Sequence, residues 1–312
     1  MTINYLAGAV GALALGFATS ASAETLRLMT GPQGGSWYPL GGAIKSIVED
    51  RMDHSVQVLP GAGIANVKGV QAGKAHLGFA NSVSTVDGVN GKGPFEGEPA
   101  DNVCNVATLY PQYFQVVTLA DGPADPAAFG GLSLAAQPRG NTGEAITQHL
   151  LAAYGESYDT MGRVNFGSYT DSVALMKDGN ADIFTLGTTV PAGAIMDLAS
   201  ARDIQLVPID DEGLAAMQEL NPGYQRIMIP AGAYPGQDEA VPTIGYSTHI
   251  IAQCDLDPDI VHGVLAGIAE NVDQLASIAK AVGSATPESM AVDTGVPMHE
   301  GAARFFAEQG VM

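Results

Sequence analysis

Short apolar runs alternate along the chain with glycine-rich turns and with stretches of helical periodicity. Residues 26–29 are mostly apolar and have the length of a strand, and Leu40 and Ile44 recur at helical spacing after the next turn. The same order of strand, turn and helix returns at 56–71 and at 132–153. Because strands that alternate with helices form parallel βαβ units, the pattern predicts an α/β fold.

The chain divides into two units of this kind. The loop at 120–126, which contains glycine, proline and aspartate, marks the change from the first unit to the second. We expect the first unit to begin at residue 24 and end near 117, where the second unit follows. The two units are expected to face each other across a cleft.

Polar turns follow the predicted strands at 31–36, 61–66, 81–84 and 137–143. In parallel sheets ligands bind beyond the carboxyl ends of the strands, where helix N-termini also present free N–H groups and a positive dipole end. We therefore expect these turns to meet at one binding site for a small anion. The candidate ligand-binding residues are Gly35, Ser36, Trp37, Tyr38, Asn66, Asn81, Ser82, Arg139, Asn141, Thr142 and Thr188.

Each candidate also has a purely structural interpretation. Ser36 suits a helix N-cap, and the other small polar residues are common in caps and turns. Trp37 and Tyr38 either form the wall of a ligand site or pack into the core. Arg139 either binds a carboxylate through two parallel N–H bonds of its guanidinium group or is a solvated loop residue.

Charge, leader and cysteines limit the classes of function. The formal charge of −20 argues against nucleic acid and anionic membranes as partners, because both require basic patches. Residues 1–23 have the apolar run and the small residues of an export signal, cleaved after Ala23, which predicts a periplasmic protein. Cys104 and Cys254 either form a disulfide or remain two buried thiols.

No motif indicates catalysis. The six histidines lack metal-ligand spacing, and Asp255, Asp257 and Asp259 do not open a calcium loop because Ile260 stands where glycine is required. The sequence contains neither a nucleophile elbow nor a phosphate loop. We expect no metal, no cofactor and no enzymatic activity; an exported enzyme on a related fold is the alternative, and a surface adhesion protein is a third.

Several segments, in this order, resemble the TAXI-type solute-binding receptors of tripartite (TRAP) transporters. The family's opening glycine- and tyrosine-rich run is similar to MTGPQGGSWYPLG at 29–41, with Met29 and Trp37 in place of the family's glycine and tyrosine. Further matching segments are PGAGIAN at 60–66, AQPRGNT at 136–142, YTDSVALMKDGNADIF at 169–184 and IPAGAYPGQ at 229–237.

This resemblance implies a two-domain, class II periplasmic-binding-protein fold with a central ligand cleft and a hinge. Domain 1 would then comprise 24–117 and 245–312, and domain 2 would comprise 118–244. The protein would be a monomer that closes on a small carboxylate, such as glutamate, 2-oxoglutarate or a related dicarboxylate, and delivers it to TRAP-type permease subunits. The returning strand would run antiparallel beside the strand before the first crossing, which favours a Cys104–Cys254 disulfide.

Overall fold

The computed structural model describes residues 25–31 and 36–312. The predicted export signal, its cleavage after Ala23, and the candidate Gly35 lie outside these residues. In chain order, the elements of the first part of the chain are β1 (Leu26–Met29), α1 (Trp37–Arg51), β2 (Val56–Leu59), α2 (Gly63–Gln71), β3 (Leu77–Asn81), α3 (Ser82–Val89) and β4 (Cys104–Leu119).

The later elements continue the alternation of strand and helix and end in a helical segment. They are β5 (Ser133–Ala136), α4 (Thr142–Ala153), β6 (Arg163–Phe166), α5 (Tyr169–Lys177), β7 (Ile183–Thr188), α6 (Gly193–Ala199), β8 (Ile204–Leu206), α7 (Asp211–Leu220), β9 (Gln225–Ile229), β10 (Val241–Ala252), α8 (Pro258–Glu270), α9 (Val272–Ile278), α10 (Pro287–Met290) and α11 (Glu300–Glu308). Within the described ranges, no helix combines the length and the apolar character that a bilayer crossing requires.

One sheet carries two parallel halves. Its order is β2-β1-β3-β10-β4-β7-β5-β6, with β8 paired to β4 and β9 paired to β10. Strands β1, β2 and β3 are parallel and form the first half, and β5, β6 and β7 are parallel and form the second. Strands β4 and β10 run antiparallel to each other between the halves. The predicted α/β fold is confirmed, and so is the expected antiparallel return strand beside β4.

Each half of the sheet has its own apolar core. In the first half, Leu40 of α1 and Phe79 of β3 are buried with the C-terminal helices α8 and α11. In the second half, Phe114 and Ile146 are buried in a separate cluster. Burying one such side chain contributes roughly 1.5–3 kcal/mol, so each half has the apolar burial of a stable unit.

Two predictions of local structure are wrong. The turn predicted at 81–84 is instead the beginning of α3, whose residues 82–88 are all buried. Its hydroxyl groups are paired inside the protein; Thr85, for example, hydrogen-bonds His249 at 2.8 Å. Apolar and β-branched residues at 103–110 and at 114–119 predict two strands. They form the single 16-residue strand β4 instead, which continues through Pro111.

A disulfide joins Cys104, at the start of β4, to Cys254, just after β10. Their Cα atoms lie 5.0 Å apart. Because β10 pairs with β4 up to Cys104 itself, the antiparallel register brings the second cysteine to the same end of the sheet. The bond therefore ties together the two strands that pass between the halves.

Candidate ligand-binding site

The middle of the two long strands is open to solvent. In β4, Pro111 is exposed and Gln112 and Tyr113 are half-buried, whereas the residues on both sides are buried. Ser247 of β10 pairs with Pro111 and is also half-buried. Thr188, the last residue of β7, pairs with Tyr113 and is half-buried too. These residues lie at one level across the sheet and form the floor of a cleft between its halves.

Three helix N-termini meet beside this floor. The Thr142 hydroxyl at the start of α4 lies 2.9 Å from the Ser84 hydroxyl in the first turn of α3. A Cβ atom on Gly63, the first residue of α2, would lie 2.8 Å from the Thr142 oxygen, so this close approach requires glycine. Two of these helices belong to the first half of the sheet and α4 belongs to the second. The predicted segments at 61–66, 81–84 and 137–143 therefore lie in contact through Gly63, Ser84 and Thr142.

Three of the candidate residues hold the walls of the cleft in place. The buried Asn66 amide donates to the carbonyls of Thr30 and Phe79, both at 2.7 Å, and its oxygen accepts from Ala62 N–H at 3.1 Å. Since both of its N–H bonds are used, these contacts fit a residue that fixes the start of α2.

The end of β3 is joined to the middle of β10 in the same way. Ser82 Oγ accepts from Ser247 N–H at 2.9 Å. The Asn81 side-chain oxygen accepts from Gln112 at 3.4 Å, and Gln112 also donates to Thr248 at 2.6 Å. These bonds tie the start of α3 to the floor of the cleft.

Trp37 and Tyr38 begin α1, and both are half-buried. The Trp37 ring stacks on Phe79, with ring centroids 5.6 Å apart, and its Nε1–H donates to the Tyr110 hydroxyl oxygen at 3.1 Å. This bond occupies one acceptor position of that oxygen, so the Tyr110 proton is available to a second acceptor. The contacts of Trp37 therefore fit packing and the positioning of Tyr110. Ser36 precedes α1 and is exposed, and its side chain makes no capping hydrogen bond within the described residues.

Arg139 stacks on aromatic rings of the second half of the sheet. Its exposed guanidinium stacks over Phe166 at 4.2 Å from the ring centroid and reaches Tyr158 at 5.9 Å. The next residue, Gly140, has φ of +82°, a conformation that favours glycine and turns the chain into α4. This arrangement fits a stacked surface arginine. Asn141, the N-cap residue of α4, is half-buried.

A cavity of about 460 Å³ lies between the halves and contains Lys280; we call it the Lys280 cavity. Lys280 follows α9 in the C-terminal part of the chain, and it is the one charged residue among the described lining residues. The full lining is Ser36, Tyr110, Thr189, Val190, Pro191, Ala279, Lys280 and Ala281. Neither Lys280 nor Tyr110 was among the residues predicted from sequence, because both lie outside the glycine-rich turns.

A second cavity of about 520 Å³, the Lys92 cavity, lies near the start of α4. Burial raises the pKa of Asp87 there to about 6, although the hydrogen bond from Asn221 and the charge of Lys92 oppose the shift. Burial lowers the pKa of His149, and Lys92 adds to this effect. The charged and titratable lining residues are Asp87, Lys92, Glu144, His149 and Glu219, so carboxylates outnumber the single lysine.

The charges distinguish the two cavities as sites for an anion. An anion in the Lys92 cavity would meet three carboxyl groups and one ammonium group. An anion in the Lys280 cavity would meet one ammonium group and hydroxyl groups, beside the last residues of β7 and the start of α1. Since like charges repel, the Lys280 cavity is the better candidate for an anion.

Comparison with known proteins gives one family and one fold. The model of the NMT1-like family matches residues 28–310. A TctC solute-binding protein from Polaromonas superposes with a TM-score of 0.56 at 14% identity, covering 94% of this chain and 100% of its own. PhnD1 from Prochlorococcus marinus, solved with methylphosphonate, has a TM-score of 0.54 at 12% identity, with coverages of 93% and 100%.

The periplasmic aliphatic sulphonate binding protein SsuA from Escherichia coli is also similar. Its TM-score is 0.50 at 13% identity, covering 92% of this chain and 79% of its own. At such identities the likeness concerns the fold alone. The predicted periplasmic-binding-protein fold is confirmed.

Proposed function

Because the chain belongs to the NMT1-like family and has the fold of periplasmic solute-binding proteins, we propose that it is an exported receptor for a small carboxylate. The receptor binds its solute between the two halves of the sheet and delivers it to a membrane permease. It acts in the periplasm after residues 1–23 are removed, and it is not an enzyme. The TAXI resemblance adds that the permease is of the TRAP type and that glutamate, 2-oxoglutarate or a related dicarboxylate is the kind of solute to test.

One observation carries this proposal: the Lys280 cavity offers an anion a cation and hydroxyl groups, and no carboxylate lines it among the described residues. This is unusual for its surroundings, since the whole chain has a formal charge of −20. Because the net negative charge of the protein repels anions, a small anion can be bound only by positively charged and hydrogen-bond-donating groups close to it. The cavity supplies such groups at the carboxyl edge of the sheet.

We infer that binding closes a hinge. Residues 24–117 and 245–312 act as one lobe, residues 118–244 act as the other, and β4 and β10 connect them. Hydrogen bonds between the two lobes are present on the side of the Lys92 cavity. Asn221 donates to Asp87 at 2.8 Å, and the hydroxyl groups of Ser84 and Thr142 lie 2.9 Å apart. A solute that touches both lobes shifts the population of open forms towards the closed form.

Thermal unfolding with a panel of anions tests the proposal. The panel contains glutamate, glutamine and 2-oxoglutarate together with monocarboxylates, and a sulfonate and a phosphonate because proteins of this fold bind such groups. At a concentration about 100 times its dissociation constant, a true solute stabilises the protein by roughly 2.7 kcal/mol.

Recovery of the solute separates the receptor from an enzyme. A receptor releases the bound compound unchanged after denaturation, which mass spectrometry would verify. Conversion to a product would favour the exported enzyme. Stabilisation by the sulfonate or the phosphonate alone would contradict the carboxylate as the solute, and no stabilisation by any anion of the panel would contradict the receptor function.

A further inference from the structure

Few of the protein's cations are available to an anion between the halves. Of the thirteen lysine and arginine residues, only Lys92 and Lys280 line the two cavities described above. Most of the remaining lysine and arginine side chains contact other groups of the protein. Arg51, for example, forms an ion pair with Glu270, and Arg226 forms one with Asp211 at 2.8 Å. Lys280 has no ion-pair partner among residues 25–31 and 36–312.

From this distribution we propose that the solute carries a single anionic group joined to a small apolar remainder. This inference rests on the proposed receptor function and narrows its solute class from small carboxylates to monoanions, in place of the dicarboxylates that the TAXI resemblance suggests. Lys280 is the residue that pairs with the anionic group. A dicarboxylate is the disfavoured solute.

The walls of the Lys280 cavity are divided between polar and apolar groups. Ser36, Tyr110 and Thr189 provide hydroxyl groups that can donate to an anionic head. The Tyr110 hydroxyl is prepared for this role because the Trp37 indole already donates to its oxygen. The remaining lining residues are apolar or carry only a methyl side chain: Val190, Pro191, Ala279 and Ala281.

A second carboxylate would have no cation to meet. Residues 32–35 are proline, glutamine and two glycines, and none of them is a lysine or an arginine. Arg139, the nearest alternative predicted from sequence, is held over Phe166 instead. Lys280 is exposed in this structure, so the cost arises when the lobes close over the solute. A second carboxylate buried there without a cation would lower the affinity of a dianion compared with a monoanion of equal length.

The neutral hydroxyl groups of the cavity strengthen the preference for a monoanion over a dianion. They can donate to one anionic head beside Lys280, but they cannot offset two full negative charges in a chain of formal charge −20. An apolar tail against Val190 and Pro191 contributes favourable burial instead, about 0.8 kcal/mol for each buried methylene group.

Calorimetric titration with matched five-carbon compounds tests the inference. The compounds are pentanoate, glutarate, 2-oxopentanoate, 2-oxoglutarate and neutral pentanamide. Each monocarboxylate is expected to bind the wild-type protein roughly tenfold or more tightly than the dicarboxylate of equal length, and pentanamide is expected to bind more weakly than pentanoate.

Two charge-matched variants locate the effect. Lys280→Gln should weaken monocarboxylate binding roughly tenfold or more, because a charge-assisted hydrogen bond is lost. Lys74→Gln removes the same charge from an exposed site outside both cavities and should bind like wild type. Unchanged melting temperatures without ligand would show that both variants fold.

The outcomes separate the two claims. Tighter binding of glutarate or 2-oxoglutarate than of the monocarboxylates would overturn the monoanion inference and leave the receptor function standing. Equal binding by Lys280→Gln and wild type would overturn the role of Lys280. Absence of binding by every anion would contradict the receptor function, and the inference with it.

Discussion

Replacing Asp87 by asparagine should stabilise the protein at neutral and alkaline pH. Asp87 lies in α3, is 8% exposed, and accepts a hydrogen bond from Asn221 at 2.8 Å. Burial raises its pKa from 3.8 to about 6. The ionised carboxylate is therefore a cost to the folded state, and asparagine keeps the acceptor oxygen without the charge.

The sign and size of the effect follow from the two pKa values. Between pH 3.8 and about 6 the folded state binds more protons at Asp87 than the unfolded state, so stability falls as the pH rises through this range. The difference between a pKa of 3.8 in the unfolded chain and about 6 in the folded protein corresponds to about 3 kcal/mol. Asp87→Asn should gain up to that amount at pH 8, about half of it at pH 5, and little at pH 4.

Urea unfolding at these pH values, followed by circular dichroism, measures the gain. Asp101→Asn is the matched control, since Asp101 is exposed and its replacement changes the net charge equally. The control should show no pH-dependent gain of this size. An Asp87→Asn variant that is less stable than wild type at pH 8, or whose gain is the same at all three pH values, would refute the argument.

Three further changes give separate predictions. Asn66→Ala should lower the free energy of unfolding by roughly 3 kcal/mol in urea titrations, since three hydrogen bonds of about 1 kcal/mol each are lost; a loss below about 1 kcal/mol would contradict its role in fixing α2. Cys104→Ser should lower the free energy of unfolding by on the order of 2–5 kcal/mol, because the disulfide closes a loop with a sequence separation of 150. Thiol titration of the unfolded, unreduced wild-type protein should find no free thiol. Tyr110→Phe should weaken binding of the solute identified by thermal scans about five- to tenfold without changing the circular dichroism, and unchanged affinity would exclude its hydroxyl from the site.

Hydrophobic patterning predicted most of the strands and helices because the half-buried elements carry a local periodicity. It failed at α3, where small and β-branched residues such as Val83 and Thr85 are buried on every side and leave no polar face to read. It also divided β4 at Pro111, although the strand continues there with an exposed centre.

The candidate site could be predicted only as a region. Polar turns after strands predicted an anion site at the carboxyl edge of the sheet, since chain direction in a parallel sheet determines where strand ends meet. Ser36 is the residue of these turns that lines the Lys280 cavity. Lys280 could not be found in this way, because it reaches the cavity from a C-terminal segment that lies far away in sequence. The stacking of Arg139 on Phe166 likewise depends on tertiary contacts that no local pattern records.

The chain contains a single tryptophan, Trp37, whose indole is bonded to Tyr110 in the wall of the Lys280 cavity. Titrating the protein with the anion panel while recording tryptophan emission therefore reports on this cavity directly. We expect a saturable change in emission whose dissociation constant agrees with calorimetry and increases in Lys280→Gln. Heat of binding without any change in Trp37 emission would place the solute elsewhere and contradict the account.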